Sequence, residues 1–166
     1  QRAPQKKRVS AEDADLDAFE RDQDIRFEAG QRAAIRMAAE SPVVVITGGP
    51  GTGKTTVINC IIRLMQGAGL TVSLAAPTGR AAKRMTEATG QEAKTIHRLL
   101  EYAAGEEDDA PLFGKTKEDP LKADVVIVDE MSMVDLLLMR SLLKAVRPGT
   151  RLVLVGDADQ LPSVGA

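Results

Sequence analysis

Aromatic side chains are nearly missing from this 166-residue chain: Phe19, Phe27, Phe113 and Tyr102 are the whole set, and there is no Trp. A chain so poor in rings cannot hold single-stranded nucleic acid chiefly by base stacking. Cys60 is its one cysteine, which excludes a disulfide scaffold and a cysteine-rich zinc module; it reads as a small buried hydrophobe of a reducing compartment. No apolar run approaches about 18 residues, so no membrane helix is expected, and no signal-peptide pattern opens the chain. Nor is there an excess of positive charge. The 22 Lys and Arg stand against 24 Asp and Glu, a net of −2, which argues against a grip on nucleic acid by bulk charge. What is present is ordinary: a hydrophobic share of 43% excludes wholesale disorder, and the length is that of one compact domain. The chain begins at Gln1 rather than Met, as expected of a processed or excised piece.

Charge is unevenly distributed. Residues 1–8 carry Arg2, Lys6, Lys7 and Arg8 with little to bury, the pattern of a tail or linker. Residues 10–24 swing acidic and read either as a solvated helix or as a loose lead-in. A second acidic segment, Glu101 to Pro120, contains Glu106-Glu107-Asp108-Asp109 and two prolines and predicts a long surface loop. Between them lies a basic stretch, with Arg80, Lys83, Arg84, Lys94 and Arg98 against Glu87 and Glu92.

Four short apolar runs, Val43 to Ile46, Val72 to Ala76, Val125 to Val128 and Leu152 to Val155, are continuous rather than alternating and largely β-branched. That is the pattern of strands buried on both faces in a parallel sheet. Helical spacing separates them: Val57, Ile58, Ile61, Leu64 and Met65 after the first, stopping at Gly67. Ser132-Met-Val-Asp135 has capping-box form and opens a helix from Leu136 to Val146, ended by Pro148-Gly149. Ala33, Ile35, Met37 and Ala38 predict a helix closed by Ser41-Pro42 ahead of the first run. The alternation predicts an α/β fold with right-handed crossovers.

Gly48-Gly49-Pro50-Gly51-Thr52-Gly53-Lys54-Thr55 fits the phosphate-loop pattern, directly after an apolar run and directly before a helix, with Thr56 next. Glycines let successive backbone N–H groups turn toward phosphate oxygens, and a helix N-terminus adds a favourable dipole. Lys54 is expected on the β- and γ-phosphates and Thr55 on Mg²⁺. Average composition makes a chance match in such a chain a matter of about one in a hundred. Asp129-Glu130 follows Val125 to Val128 at once, the crevice where parallel sheets bind ligands. Asp129 is placed to hold Mg²⁺ through water. Glu130 is the candidate to orient or deprotonate an attacking water, which a metabolite kinase does not need, so the pair favours a nucleotide hydrolase.

These blocks, in order, resemble the RecD-type DNA helicases of superfamily 1, the branch that moves 5′ to 3′. The resemblance rests on Gln31 in Gly-Gln-Arg-Ala-Ala-Ile, Gly48 to Thr55, Ala76 to Met85, Thr95 to Leu100, Val128 to Met133, and Leu154 to Gly165 with its Gly-Asp-x-x-Gln-Leu-Pro ending. It covers residues 28–166 and implies a RecA-like P-loop NTPase domain, a mostly parallel sheet with helices on both faces, as the first of two motor domains. Residues 1–27 form the lead-in, a possible linker from an upstream domain. The family implies ATP and Mg²⁺ as cofactors, Gln31 on the adenine base, and Gln160 as the γ-phosphate sensor. It also implies that the strand ending at Gly156 lies between the phosphate-loop and Asp129 strands. Pro77, Thr78, Gly79, Arg80, Lys83 and Arg84, with Thr95, His97 and Arg98, resemble the two blocks that hold a single DNA strand. Arg80, Lys83 and Arg84, spaced i, i+3, i+4, share one helical face, and Thr78 is a good N-cap. Such contacts set register on the backbone without reading sequence. Met131 and Met133 are expected in the core.

The implied partners are single-stranded DNA, a second motor domain of the same chain, and RecB- and RecC-type subunits, with no membrane, in the bacterial cytoplasm. The arginine that completes such ATP sites is expected from the second domain. These 166 residues alone are therefore expected to bind nucleotide weakly and neither to hydrolyse it efficiently nor to unwind DNA. Two other readings stand beside this one: a different phosphate-loop ATPase, AAA-type or transport, and a non-catalytic nucleotide-binding module.

Overall fold

The computed structural model describes residues 11–48, 54–100, 102–103, 112–113, 123–146 and 149–157. In chain order the elements are α1 (Asp13–Gln23), α2 (Ala29–Glu40), β1 (Val43–Gly48), α3 (Lys54–Gly67), β2 (Val72–Ala76), α4 (Gly79–Thr89), β3 (Ala93–Thr95) and α5 (Ile96–Leu99). They continue with β4 (Tyr102–Ala103), β5 (Leu112–Phe113), β6 (Val125–Val128), a 3₁₀ turn (Met131–Met133), α6 (Leu136–Ala145) and β7 (Arg151–Asp157). Among the described residues, β1-β7-β6-β2-β3 form one parallel sheet in that order.

The centre of the sheet is buried on both faces, and the alternation of its side chains says how. Val125 and Ile127 of β6, with Val153 and Val155 of β7, join the cluster built by α1, α2 and α3. Val126, Val128, Leu152 and Leu154 face the other way, onto Ile96 and Leu100 and onto Leu138, Leu142 and Ala145 of α6. Both faces therefore need apolar residues, and the run has no polar alternation to show. Burying each such side chain stabilises by about 1.5–3 kcal/mol.

The edge strands depart from that pattern. In β1, Val44 and Ile46 are buried but Val43 and Val45 are more than half exposed, so this run is covered on one face only. β1 lies at the end of the sheet, beyond the reach of α6. At the other edge β3 is Ala93-Lys94-Thr95, a strand without an apolar pattern, held by its pairing with β2 (Ala76 opposite Thr95).

Several local expectations change. Asp135 is not the closing residue of a capping box led by Ser132; it is the N-cap of α6 itself, its Oδ1 accepting the Leu138 N–H at 2.7 Å. The 3₁₀ turn occupies the residues that such a box would have used. Met131 packs on the α6 side of the sheet, whereas Met133 is 56% exposed because that turn rotates it outward. In α2, Ile35, Ala38 and Ala39 form the buried stripe; Ala33 and Met37 are exposed. Within the expected loop 101–120, Tyr102–Ala103 and Leu112–Phe113 pair as antiparallel strands, the apolar ends of an otherwise acidic segment.

The acidic lead-in becomes a docked helix. Leu16 and Phe19 of α1 and Phe27 beyond it enter the core, with the two phenyl rings stacked at 5.8 Å. Arg32 of α2 gathers Asp17 (2.6 Å), Glu20 (2.8 Å) and Asp13 (3.4 Å), and its pKa is raised, first by the hydrogen bond to Asp17. Arg63 of α3 pairs with Asp22 and lies over the Phe19 ring at 5.5 Å. Residues 1–10 lie outside the described residues.

Cys60 is fully buried on α3, and that burial pushes its thiol from 9.0 up to about 11. Below pH 9 folded and unfolded chains both keep the proton. Above it the unfolded chain loses the proton first, so stability falls until the folded thiol also ionises near pH 11. Two units correspond to about 2–3 kcal/mol. Denaturant midpoints of the chain and of Cys60→Ala are therefore expected to keep a constant gap below pH 9 and to converge toward pH 11. A gap that stays constant throughout would contradict this.

Candidate functional site

The sheet order sets the site. At the C-terminal edge, β1 hands over to Lys54 and Thr55 at the start of α3; β7 lies beside it, with Gly48 opposite Asp157; β6 follows with Asp129 and Glu130 at its end. β7, which runs one residue past the Gly156 end that the resemblance implied, thus lies between the phosphate-loop and Asp129 strands as expected. Farther along the same edge, β2 leads to Thr78 and β3 ends on Thr95. The blocks expected at the nucleotide therefore occupy one half of the edge and those expected at a DNA strand the other, with β6 at the boundary.

Gly49, Pro50, Gly51, Thr52, Gly53 and Gln160 lie outside the described residues, and Gly48 and Asp157 are placed by backbone alone. Lys54 is half-buried, Thr55 is exposed and Thr56 is half-buried on the first turn of α3. These groups stand where a helix N-terminus favours an anion.

The acid pair is built by an unusual backbone. The Asp129 N–H donates to the Ala75 carbonyl at 3.0 Å, extending the β6–β2 pairing by one residue. Glu130 then takes a left-handed conformation, φ 54° and ψ 44°. For a residue with a Cβ that conformation costs about 1–2 kcal/mol. The Glu130 N–H donates to Asp129 Oδ1 at 2.7 Å, which partly offsets the cost. The left-handed residue breaks the strand sharply and sends the chain into the 3₁₀ turn, and the Glu130 side chain is only 19% exposed. Arg84 Nη2 reaches it from α4, donating to Oε2 at 2.7 Å. Arg84 belongs to the basic face predicted for DNA; its ion pair with the candidate base has no signal in the sequence, because the two are separated by 46 residues.

On the other half of the edge, Thr78 caps α4, its Oγ1 accepting the Ala81 N–H at 3.1 Å, and Gly90 closes the helix in the left-handed conformation. Ala81, Ala82 and Met85 face inward while Arg80, Lys83 and Arg84 are exposed. Thr95 caps α5 in the same way through the Arg98 N–H at 3.1 Å, and His97 and Arg98 are exposed. Pro77 is half-buried and Gly79 exposed at the start of α4. Gln31 has a local duty that sequence reading missed. Its Oε1 accepts the Glu28 N–H at 2.8 Å while the Glu28 side chain accepts the Gln31 N–H, a capping box signalled by Glu-x-x-Gln at the start of α2.

The family described as "AAA domain" matches residues 31–166. The ATP-dependent RecD2 DNA helicase of Deinococcus radiodurans is 48% identical over 136 residues, covering 82% of this chain and 18% of that protein. The RecBCD enzyme subunit RecD of Mycolicibacterium smegmatis is 45% identical over 159 residues, covering 82% and 28%. Among solved structures, Bacteroides Pif1 bound to ssDNA superposes with a TM-score of 0.55 at 30% identity, covering 86% of this chain and 34% of that one. The chain spans only 18% to 34% of the length of these relatives.

Proposed function

The chain belongs to the AAA-domain family, among its RecD-type helicases, and from that membership we propose that it is the ATP-binding first motor domain of an ATP-dependent DNA helicase that steps 5′ to 3′ along one strand. The observation that supports this most directly is the run of groups along one sheet edge: Lys54 and Thr55 after β1, Asp129 and Glu130 after β6, then two threonine-capped helix starts carrying exposed Arg80, Lys83 and Arg98. The donor set suits Mg²⁺–ATP: an ammonium and a hydroxyl on a helix N-terminus share one sheet edge with a carboxylate one strand away. Bound there, Mg²⁺–ATP supplies the scissile γ-phosphate bond. Lys54 would neutralise phosphate charge, Thr55 and Asp129 would hold the ion, and Glu130 would orient the attacking water and take its proton as the bond to the leaving ADP breaks. Gln31 contacts the base, and Gln160 senses the γ-phosphate. Thr78 with the α4 basic face, and Thr95 with His97 and Arg98, hold successive backbone phosphates without reading sequence.

The names of the relatives favour this reading over an AAA-type regulator or a transport ATPase, and the intact Lys54, Thr55, Asp129 and Glu130 favour it over a non-catalytic module. The second motor domain supplies the remaining arginine and the opposing DNA grip. Two cytoplasmic settings fit the two relatives: a stand-alone helicase, or a subunit beside RecB- and RecC-type chains. Co-purification of those chains with the full-length protein selects the second. ATP hydrolysis by the full-length protein is expected to rise with single-stranded DNA and to stay near background for residues 1–166 alone. Robust DNA-stimulated turnover by the short chain would overturn the assignment of half the ATP site to another domain.

A further inference from the structure

Arg84 is the one member of the α4 basic face that the structure ties to the acid pair. Its side chain is 63% exposed while that of Glu130 is 19% exposed, so the two ends of the ion pair are unequally free. The Glu130 backbone is set by its left-handed conformation and by the Asp129 carboxylate accepting its N–H, and its side chain is the less exposed of the two. Arg84 sits on a long stem one helical turn from Arg80 and beside Lys83, and can swing toward a phosphate bound on that face. A phosphate that takes the Arg84 Nη2 donor competes with Glu130 Oε2 for it.

We propose that Arg84 is a DNA-operated latch on Glu130. Without DNA it occupies Oε2 of Glu130 and keeps the carboxylate from the attacking water; a backbone phosphate on α4 takes the guanidinium and releases the carboxylate. This rests on the reading of Glu130 as the group that orients water and of α4 as a phosphate-binding face. The coupling is reciprocal: whatever hold DNA loosens on Glu130, Glu130 must exert against DNA.

The test uses the full-length protein, with a fluorescent oligothymidylate as the DNA probe. Arg84→Ala is expected to raise DNA-free ATP turnover about fivefold or more and to shrink the ratio of stimulated to basal rate. Glu130→Gln, measured without nucleotide, is expected to tighten oligothymidylate binding about fivefold, because the neutral amide releases Arg84. In the Arg84→Ala background the same change is expected to have no effect on binding. A phosphate contact or a structural brace alone would not produce that non-additivity. DNA-free turnover that does not rise in Arg84→Ala, or additive effects on DNA affinity, overturns the latch. Turnover that survives Glu130→Gln instead overturns the reading of Glu130 as base, and the affinity cycle still decides whether the pair is coupled to DNA.

Discussion

Glu130→Gln in the full-length protein is expected to retain ATP and to lose turnover by about 10²–10⁴-fold, the ordinary contribution of a positioned general base. The substitution is nearly isosteric, so the left-handed turn at residue 130 and the fold around it have no reason to change. It removes the charge that draws the proton from water while leaving Lys54, Thr55 and Asp129 in place. Nucleotide binding by a fluorescent ATP analogue is expected to be preserved, with phosphate release falling to background. Turnover within tenfold of the unaltered protein would remove Glu130 from the chemistry.

Ile127→Ala is expected to destabilise this chain by about 3 kcal/mol, within the range for truncating a fully buried Ile. Ile127 has no exposed surface, sits in a central strand between Val153 of β7 and Leu74 of β2, and belongs to the larger core cluster. Strands on both sides and helices above leave little room for collapse around the lost atoms, so a cavity remains. The matching control is Leu137→Ala on α6, where the side chain is 74% exposed and the expected change is near zero in this chain. Urea denaturation reads both, with the slope unchanged. A shift below about 1 kcal/mol for Ile127→Ala would mean that the β6 core is not close-packed.

The two predictions draw on information of different kinds. The core of β6 was legible because burial on both faces forces an unbroken β-branched run, and Val125 to Val128 is one. The acid pair was legible because two carboxylates follow that run without a spacer. The helix of α3 and the end of α2 at Ser41-Pro42 were legible for the same reason: a local periodicity and a local stop. By contrast, β3 carries no such mark, since an edge strand of three residues needs only backbone pairing with β2. The same apolar signal overstated β1, whose second face is uncovered because it ends the sheet. The acidic lead-in was ambiguous in the sequence, where carboxylates suit either a solvated helix or a loose segment. Arg32 and Arg63, on two later helices, are what dock it.

The sequence by itself determined the elements whose cause lies within a few residues: buried strands, the helices after them, the phosphate-loop pattern and the adjacent acids. It also carried the blocks that identify the family. Only the tertiary structure decided which of these stand side by side. The order β1-β7-β6-β2-β3 brings together chain segments up to about a hundred residues apart, and strand order follows from how the crossovers pack, not from any strand's own composition. The same holds at the level of one side chain. Helical spacing put Arg84 with Arg80 and Lys83 on a surface face, but its partner Glu130 is set by the packing of α4 on β2, the strand paired with β6, a distance in space that no local pattern encodes.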